Sequence, residues 1–408
     1  MQKSVFRLSY LLPLLISAFA PWILLYFLAN PSCMWPISND EISKTHDVNL
    51  RAMVVGDLHI GGPTTVWFDR MRRDAFMKAS FKRAFEKLRP DMLLILGDLS
   101  DWGRKSSKEE WNSVILRFKD MMIYFKGSQY HVIPGNHDIG DYYQITDTLL
   151  QQFTDSFPSL DEMGNSFFVL RNISFVSLNA MALACDHCSM HNSMKVAVEG
   201  YKIALQQAEP DDMYMSIEEN QSADRHRHSI QDSSAGPVLL THLPLYREDE
   251  SVCGSLDIPI CAPWHEVEGG CIHLLELSKK SSGHYKRQNY RKNIDMLSLN
   301  TTNYLLSALK PRLVLSAHAH RFCSRLLDTG TREVTVSTFT WRNRDDPSFL
   351  LVQFYKDGSY DIQQCFLVRE SVVVLLHLFQ GILLFVLLVF GGHRCWKLRK
   401  SNKLHLKS

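Results

Sequence analysis

Aspartates, histidines and one asparagine follow five short apolar segments of this chain, each at the point where the segment ends. These polar residues are Asp57 and His59, Asp98, Asn136 and His137, His242, and His318 and His320. The carboxyl ends of the strands in an α/β sheet meet at one rim, where ligands bind, so we expect these side chains to converge. Carboxylate, amide and imidazole groups without a thiolate suit Mn, Fe or Zn better than Mg or Ca.

The number of candidate ligands predicts more than one ion. The three oxygen donors are Asp57, Asp98 and Asn136, and the four imidazoles are His59, His242, His318 and His320. This set is too large for one catalytic ion that must keep open positions, but it suits two ions about 3.5–4 Å apart that share a carboxylate. Asp57 and His59 have i, i+2 spacing, as do His318 and His320, which aims each pair to one side of an extended segment.

Each of these residues also has a plain structural explanation. A Gly-Asp pair at the end of a strand is usually a turn, and a single buried histidine usually belongs to the core. The combination of five such strand ends, in this order, favours the metal site.

The segments that carry these residues alternate with amphipathic helices. Helical spacing of apolar residues predicts helices over 75–88 and 109–125. Strands are expected at 51–55, 91–96, 130–133, 166–170, 174–178, 237–241, 312–316, 333–337 and 349–355. Apolar runs of this length, bounded by Gly, Pro or Asp, are typical of strands covered on both faces. An α/β sandwich with helices outside is therefore the predicted fold class.

The series D-x-H, GD, GNHD, H and HxH resembles the calcineurin-like metallophosphoesterase superfamily over roughly residues 50 to 360. The resemblance implies a four-layer α/β/β/α sandwich. It also implies that Asp57, His59, Asp98 and His320 hold one metal, and that Asp98, Asn136, His242 and His318 hold the other. His137 would face the substrate phosphate and protonate the leaving oxygen, and Asp138 would orient the His137 ring.

Three positions depart from patterns of the superfamily. Ala317 stands where the last motif usually has glycine, so its methyl group is expected to crowd that turn. Protein phosphatases of the superfamily carry arginine where this chain has Trp102, which argues against phosphoprotein substrates. Purple acid phosphatases place a tyrosine ligand where this chain has Asp101.

Two long uncharged apolar segments, 8–30 and 371–392, are each long enough to cross a bilayer. A cleaved signal peptide is the alternative for the first, and a buried core helix is the alternative for the second. Basic residues precede the first segment and follow the second, so both termini are expected to be cytoplasmic. The predicted order is then a cytoplasmic segment 1–7, a span 8–30, a lumenal domain 31–370, a span 371–392 and a basic cytoplasmic tail 393–408.

Cysteines and glycosylation sequons agree with a lumenal middle. Eight of the nine cysteines lie between the spans, where disulfides persist, and their pairing stays open. Sequons begin at Asn172, Asn220 and Asn300. Residues 185–235 break the strand and helix pattern and are expected to form an inserted surface loop. Its Cys185-x-x-Cys188 motif favours a disulfide, with a zinc site as the alternative.

The expected membrane spans at both ends of the chain, together with the stretch 338–349, resemble the branch of the superfamily that remodels GPI anchors. That resemblance implies a manganese-dependent phosphodiesterase of the early secretory pathway (ER exit sites, ER–Golgi intermediate compartment and Golgi). It would remove the ethanolamine-phosphate side branch from the second mannose of GPI-anchored proteins, with ER-export cargo receptors as further partners. The net charge of +2 argues against a nucleic-acid partner.

Other functions stay open at this point. One is a phosphoesterase that acts on another lipid- or glycan-linked phosphate. Another is a non-catalytic cargo receptor for GPI-anchored proteins. Four side chains are candidates for gripping glycan or phosphate, although each has a structural explanation too: Trp102, Tyr246, Trp341 and Arg342.

Overall fold

The computed structural model describes residues 27–31, 33–36, 47–125, 128–141, 143–184, 189–207, 236–248, 252–253, 291 and 293–405. Within these residues the chain forms two mixed β-sheets and eight α-helices, which are numbered below in chain order. The span expected at 8–30 lies outside the described residues except at 27–30, and so do Cys185, Cys188 and the sequon at Asn220.

The first sheet has the strand order β11–β10–β1–β2–β3. Its strands are β1 (Val48–Val55), β2 (Met92–Ile95), β3 (Gln129–Val132), β10 (Ser348–Tyr355) and β11 (Tyr360–Phe366). Strands β1, β2 and β3 run parallel, whereas β10 and β11 join antiparallel. The carboxyl ends of β1, β2 and β3 therefore lie at the same edge of this sheet.

The second sheet has the order β4–β5–β6–β7–β9–β8. Its strands are β4 (Ser166–Leu170), β5 (Ile173–Leu178), β6 (Val238–Thr241), β7 (Leu313–Ser316), β8 (Cys323–Leu326) and β9 (Arg332–Thr335). Strands β5, β6, β7 and β9 are parallel, and β4 and β8 are antiparallel at the two edges.

The helices are α1 (Trp67–Leu88), α2 (Lys108–Met121), α3 (Asn136–Ile139), α4 (Asp147–Ser156), α5 (Ala180–Ala184), α6 (Ser189–Gln207), α7 (Leu299–Leu309) and α8 (Glu370–His405). Helix α2 begins with a capping box, in which Ser107 and Glu110 each bond the other's backbone N–H. Helix α1 ends at Leu88 and is capped by Arg89, whose φ of 45° is left-handed.

Successive side chains of each strand point to opposite faces of its sheet, so the core is divided into a layer between the two sheets and layers beneath the helices. Leu50, Ala52 and Val54 of β1 pack with Leu240 of β6 and Leu315 of β7 between the two sheets. The intervening residues point away from this layer and contact the helices, so the packing order is helices, sheet, sheet, helices. Most strands are thus covered on both faces, as their continuous apolar runs predict.

Two expectations about local structure are wrong. Strands β8 and β11 were not predicted, because their sequences CSRL and YDIQQCF are polar edge strands rather than apolar runs. Residues 189–207 form helix α6 instead of a loop, since Met194 and Val198 lie one turn apart and are fully buried. The rest of the expected insertion, 208–235, lies outside the described residues.

Within the part of the chain that the structure describes, two disulfides join distant segments. Cys33 bonds Cys365 on β11, and Cys253 bonds Cys323 on β8. At the other end of the sequence, α8 contains one candidate membrane span, Glu370–Phe390, with a mean hydropathy of 2.8.

Candidate metal centre

The predicted ligands lie where the carboxyl ends of strands from both sheets meet. Asp57 follows β1, Asp98 follows β2 and Asn136 follows β3 in the first sheet, while His242 follows β6 and His318 follows β7 in the second. A hydrogen bond connects the two sheets at this edge. Thr338, which follows β9 of the second sheet, donates its hydroxyl to the carbonyl of Asp57, which follows β1 of the first (2.9 Å). The structure brings together all seven residues that the sequence analysis proposed as ligands.

One group consists of Asp57, His59, Asp98 and His320, whose donor atoms all lie within 4.8 Å of one another. The Nε2 atoms of His59 and His320 are 3.0 Å apart, and His59 Nε2 is 3.7 Å from Asp98 Oδ2. Asp57, His59 and Asp98 are at most 1% exposed, whereas the side chain of His320 is 28% exposed. The group therefore has a buried floor and one side open toward solvent.

A second group shares Asp98 with the first and adds His242 and His318. Asp98 Oδ1 lies 3.4 Å from His242 Nε2. The amide oxygen of Asn136 completes the group, at 3.2 Å from His242 Nε2 and 3.1 Å from His318 Nδ1. His242 donates Nδ1–H to the carbonyl of Leu96 (2.7 Å), which directs Nε2 toward the centre.

The backbone at these ligands adopts an unusual conformation. Asp57, His59, Asp98, His318 and His320 all have positive φ, between 45° and 66°. A non-glycine residue in this region costs on the order of 1–3 kcal/mol and persists only where its surroundings enforce it. The expectation that each i, i+2 pair projects from an extended segment is therefore wrong. In each pair the two left-handed residues flank one that is not left-handed, Leu58 or Ala319, and this backbone, rather than a strand, aims the side chains at one point.

Glycines make room for the ligands. A Cβ on Gly97 would lie 2.5 Å from His242 Nδ1, and Gly97 itself has a φ of 86°. A Cβ on Gly56 would lie 2.7 Å from the Cβ of Ala317. Ala317 has no positive φ, so its turn accommodates the methyl group, and the space comes from Gly56 opposite.

Two carboxylate oxygens show that the residues fit a cation. Asp57 Oδ2 and Asp98 Oδ2 are buried and accept no hydrogen bond. A buried, unpaired carboxylate oxygen is costly unless a proton or a metal neutralises it. Burial, with a further contribution from the Asp98 carboxylate, raises the pKa of Asp57 to about 7 although His242 opposes this. Burial also acts to raise the pKa of Asp98, but His242, together with two other imidazoles, keeps it well below its usual value.

The imidazoles carry the matching lone pairs. Burial lowers the pKa of both His318 and His320 to about 3, so these rings are neutral at pH 7. Burial acts in the same direction on His242, but the Asp98 carboxylate raises its pKa to about 9. Neutral imidazole is the form that binds metal, and a cation at Asp98 would displace the His242 proton. The donor set thus suits two divalent cations that share Asp98.

His137, the proposed proton donor, lies beside the first group. Its ring stands edge-on to His59 at a centroid distance of 4.8 Å, and its side chain is 26% exposed. Its Nδ1 lies 3.3 Å from the carbonyl oxygen of Asp101 and so donates there. Its backbone N–H donates to Asp98 Oδ1 (2.8 Å), which fixes His137 relative to the shared ligand.

The role expected for Asp138 is wrong. Its carboxylate accepts three backbone N–H bonds, from Leu99 (3.1 Å), Ser100 (2.8 Å) and Gly135 (2.9 Å). Both of its oxygens are therefore engaged in holding the loop after β2 against the loop after β3. Its contribution to the centre is to place Asp98 and Asn136 rather than to orient the His137 ring.

Asp101 is a functional residue whose role the sequence analysis missed. Its Oδ1 lies 3.5 Å from His59 Nδ1 and 3.7 Å from His137 Nδ1, and Oδ2 accepts from Arg342 Nε at 2.9 Å. Burial acts to raise its pKa, but the adjacent His59 ring and the hydrogen bond from Arg342 hold that pKa well below its usual value. The spacing Asp98-x-x-Asp101 could have indicated this role, because an aspartate three residues after Asp98 places a second carboxylate at the same edge of the sheet.

The other candidates for substrate contacts differ in their exposure. Trp341 is 4% exposed and stacks on Phe76 at 3.8 Å, so it is part of the core. Arg342 is 45% exposed at the rim. Trp102 and Tyr246 are half-buried. The neighbouring Asn343 places its amide nitrogen 3.0 Å from His320 Nε2.

Comparisons with known proteins identify the family. The model of the calcineurin-like phosphoesterase family matches residues 50–322. Metallophosphoesterase 1 of Danio rerio is 30% identical over 86% of this chain and 83% of its own length. The protein of that name from Gallus gallus is 29% identical over 90% of this chain and 85% of its own length. A solved dimetal phosphatase from Danio rerio covers 79% of this chain and 98% of its own, at 13% identity and a TM-score of 0.46. The chain belongs to the calcineurin-like phosphoesterase family and is a hydrolase of phosphoric ester bonds.

Proposed function

We propose that this protein removes the ethanolamine-phosphate side branch from the second mannose of GPI anchors and thereby aids export of GPI-anchored proteins from the ER. Manganese is the proposed metal. The proposed location is the membrane of the early secretory pathway, with the catalytic domain lumenal and both termini cytoplasmic. The observation that carries the proposal is a complete set of dimetal ligands on a domain joined directly to an apolar helix. Relatives named Metallophosphoesterase 1 that match over most of this chain support the same reaction class.

Two divalent cations held by the seven ligands would lower the pKa of a water molecule toward neutrality and neutralise charge on a phosphate group. The residues of the chain then determine how the ester is presented and cleaved. The ligand floor is buried, and His137, His318 and His320 form the accessible side. A phosphodiester therefore approaches over these three imidazoles.

His137 is placed to supply the proton that the departing alcohol requires. Because its Nδ1 donates to the Asp101 carbonyl, Nε2 is the nitrogen that carries the second proton when the ring is protonated, and that proton can pass to the substrate. Burial lowers the pKa of His137, with the Asp98 carboxylate opposing this. The lowered pKa makes the protonated ring a stronger acid. The oxygen of a sugar is a poor leaving group unless it is protonated as it departs. Hydrolysis of a mannose-linked ester would therefore depend most on His137.

The helix at the carboxyl end supports a substrate at a membrane. Val373, in the first turn of α8, is 2% exposed within the domain core, whereas Leu375 and Phe379 are 64% and 68% exposed. The helix thus begins on the catalytic domain and continues away from it with apolar side chains uncovered. A hydrolase attached in this way meets phosphoesters carried by membrane-anchored molecules.

Analysis of GPI glycans by mass spectrometry tests the proposal. Cells lacking the protein are expected to retain ethanolamine phosphate on the second mannose, and the wild-type chain is expected to restore its removal. The variant His137→Ala should fail to restore it, with a loss of about 10²–10⁴-fold in rate. His131→Phe, on β3 just before the loop that leads to His137 and outside the centre, is the matched histidine control.

The products separate the reaction classes. Purified full-length protein with manganese should release ethanolamine phosphate and leave a free mannose hydroxyl. Release of inorganic phosphate or of free ethanolamine would assign a different phosphoesterase activity. Unchanged glycans in cells that lack the protein would remove the GPI assignment. Normal transport and normal glycans with His137→Ala and Asp98→Asn would instead favour a cargo receptor.

A further inference from the structure

Three large apolar side chains are exposed next to each other where α1 begins. Val66, Trp67 and Phe68 are 72%, 66% and 52% exposed, and we refer to them as the aromatic patch. They follow the loop that leaves the ligand His59, and Val66 is the N-cap residue of α1. Single exposed apolar residues are ordinary, but a contiguous group marks a surface that meets another apolar phase.

The next turn of α1 is attached to the start of α8. Arg72 contacts Asp69 at 2.9 Å on its own helix and also forms an ion pair with Glu370, the first residue of α8. The Arg72 guanidinium lies 5.1 Å from the ring centroid of Trp341. The aromatic patch is therefore one helical turn from the point where the apolar helix leaves the domain.

That point is held rigidly by the domain. Asp345 accepts from the backbone N–H of Ser371 at 2.6 Å and from its hydroxyl at 2.9 Å, which satisfies free donors at the beginning of α8. The indole of Trp341 donates to the carbonyl of Val368 at 2.9 Å. The orientation of α8 relative to α1 is thus set by side-chain contacts and not only by chain connectivity.

The same short segment reaches the metal centre. Residues 341–346 include Arg342, which bonds Asp101, and Asn343, which contacts His320. On α1, Arg73 donates to the carbonyl of His59 at 3.4 Å. The ligands, the aromatic patch and the first turn of α8 are therefore connected within one packed unit.

We propose that the aromatic patch inserts into the interface of the bilayer that α8 enters, so that the catalytic domain lies on the membrane with its metal centre held near the lipid surface. The inference deepens the proposed function, since it takes α8 as a membrane span. Tryptophan is enriched at the boundary between hydrocarbon and water, where its ring is apolar and its N–H can bond water or headgroups. The occupant of the patch is phospholipid, and the substrate class is a phosphoester anchored in the same bilayer.

Photocrosslinking of the full-length protein in phospholipid membranes tests this inference. A photoreactive amino acid replaces Trp67 or Phe68, one at a time, and the membranes contain an alkyne-tagged phosphatidylcholine. Phe379 on α8, 68% exposed, is the positive control. Val196 is the matched control, because it is 74% exposed on α6, which packs on the second sheet through the contact of Tyr201 with Phe167 of β4. Positions 67 and 68 are expected to give about tenfold more lipid adduct than position 196, a ratio that ~1.4 kcal/mol of preference for the interface suffices to produce.

The outcomes distinguish this inference from the proposed function. Lipid adducts at position 379 with none at 67 and 68 would overturn the insertion of the patch and leave the membrane span intact. Adducts from 67 or 68 to a protein instead of lipid would also overturn it. No lipid adduct at any position would refute the span itself. Hydrolysis of GPI glycans is read separately, so loss of the substrate assignment leaves the crosslinking result unaffected.

Discussion

Removal of the Asp141 carboxylate should weaken one of the two metal sites and spare the other. The Asn136 side chain donates Nδ2–H to Asp141 Oδ1 at 3.1 Å, which fixes its amide oxygen toward His242 and His318. Arg104 lies 3.8 Å from Asp141 Oδ2 and holds that carboxylate in place. In Asp141→Ala the amide of Asn136 can turn over and present its NH₂ group to the cation.

The size of the effect follows from these contacts. Loss of a partner that orients a metal ligand typically costs 10- to 100-fold in metal affinity, or about 1.4–2.7 kcal/mol. The loss should fall on the ion near Asn136 and not on the ion near His59 and His320, because Asp141 contacts no ligand of that group. Asp141→Asn keeps a carbonyl oxygen that can accept from Asn136 and should recover much of the affinity.

Metal titration measures this prediction directly. The full-length protein, stripped with a chelator, is titrated with Mn²⁺ in competition with a metal indicator, and the two binding steps are resolved. Asp120→Ala is the control, since Asp120 forms an exposed ion pair with Lys78 at 2.6 Å away from the centre. Equal weakening of both steps, or unchanged affinity in Asp141→Ala, would refute the assignment of Asp141 to the Asn136 site.

Three further predictions concern stability. Burial lowers the pKa of His131 to about 4 from 6.5, so at ~1.4 kcal/mol per pH unit roughly 3 kcal/mol of unfolding free energy should be lost as the pH falls from 6.5 to 4. The loss arises because His131 binds a proton at a higher pH in the unfolded chain than in the folded chain. His131→Phe should remove this part of the pH dependence of the unfolding free energy in denaturant titrations. The same pH dependence in the variant and the wild type would contradict the prediction. Gly56→Ala would place a Cβ 2.7 Å from the Cβ of Ala317. The overpacking should lower the unfolding free energy by about 1–3 kcal/mol. A melting temperature equal to that of the wild type would show that the ends of β1 and β7 can separate to accommodate the methyl group. The double variant of Cys33 and Cys365 to alanine should lose about 2–4 kcal/mol, since the disulfide restricts the unfolded chain, and an unchanged melting temperature in reducing and oxidising buffer would argue against that bond.

Several features of this protein could be predicted without coordinates. Apolar runs of four to seven residues predicted nine of the strands, and the polar residues after five of them indicated a metal-binding edge. This worked because strands covered on both faces must be continuously apolar, and because the carboxyl ends of parallel strands meet at one edge. Strands β8 and β11 were missed, since polar edge strands lack that pattern.

Details of the metal centre required the tertiary structure. Pairing of Cys33 with Cys365 joins residues 332 apart in sequence, and no local pattern specifies such a partner. Asp138 was expected to orient the His137 ring, and Asp101 was noted only as the residue at the position of a tyrosine ligand in purple acid phosphatases. Their separate roles follow from which backbone amides and imidazole rings the neighbouring loops bring close to each carboxylate.

Residue types and their order along the chain were sufficient to determine the chemistry, because metal ligation depends on the donor atoms available. Only the folded arrangement decided how those atoms converge. The ligands Asp57, His59, Asp98, His318 and His320 adopt left-handed backbone conformations that their own side chains disfavour. Such conformations arise where contacts between two packed sheets outweigh local preference, and local preference is what a sequence pattern reports.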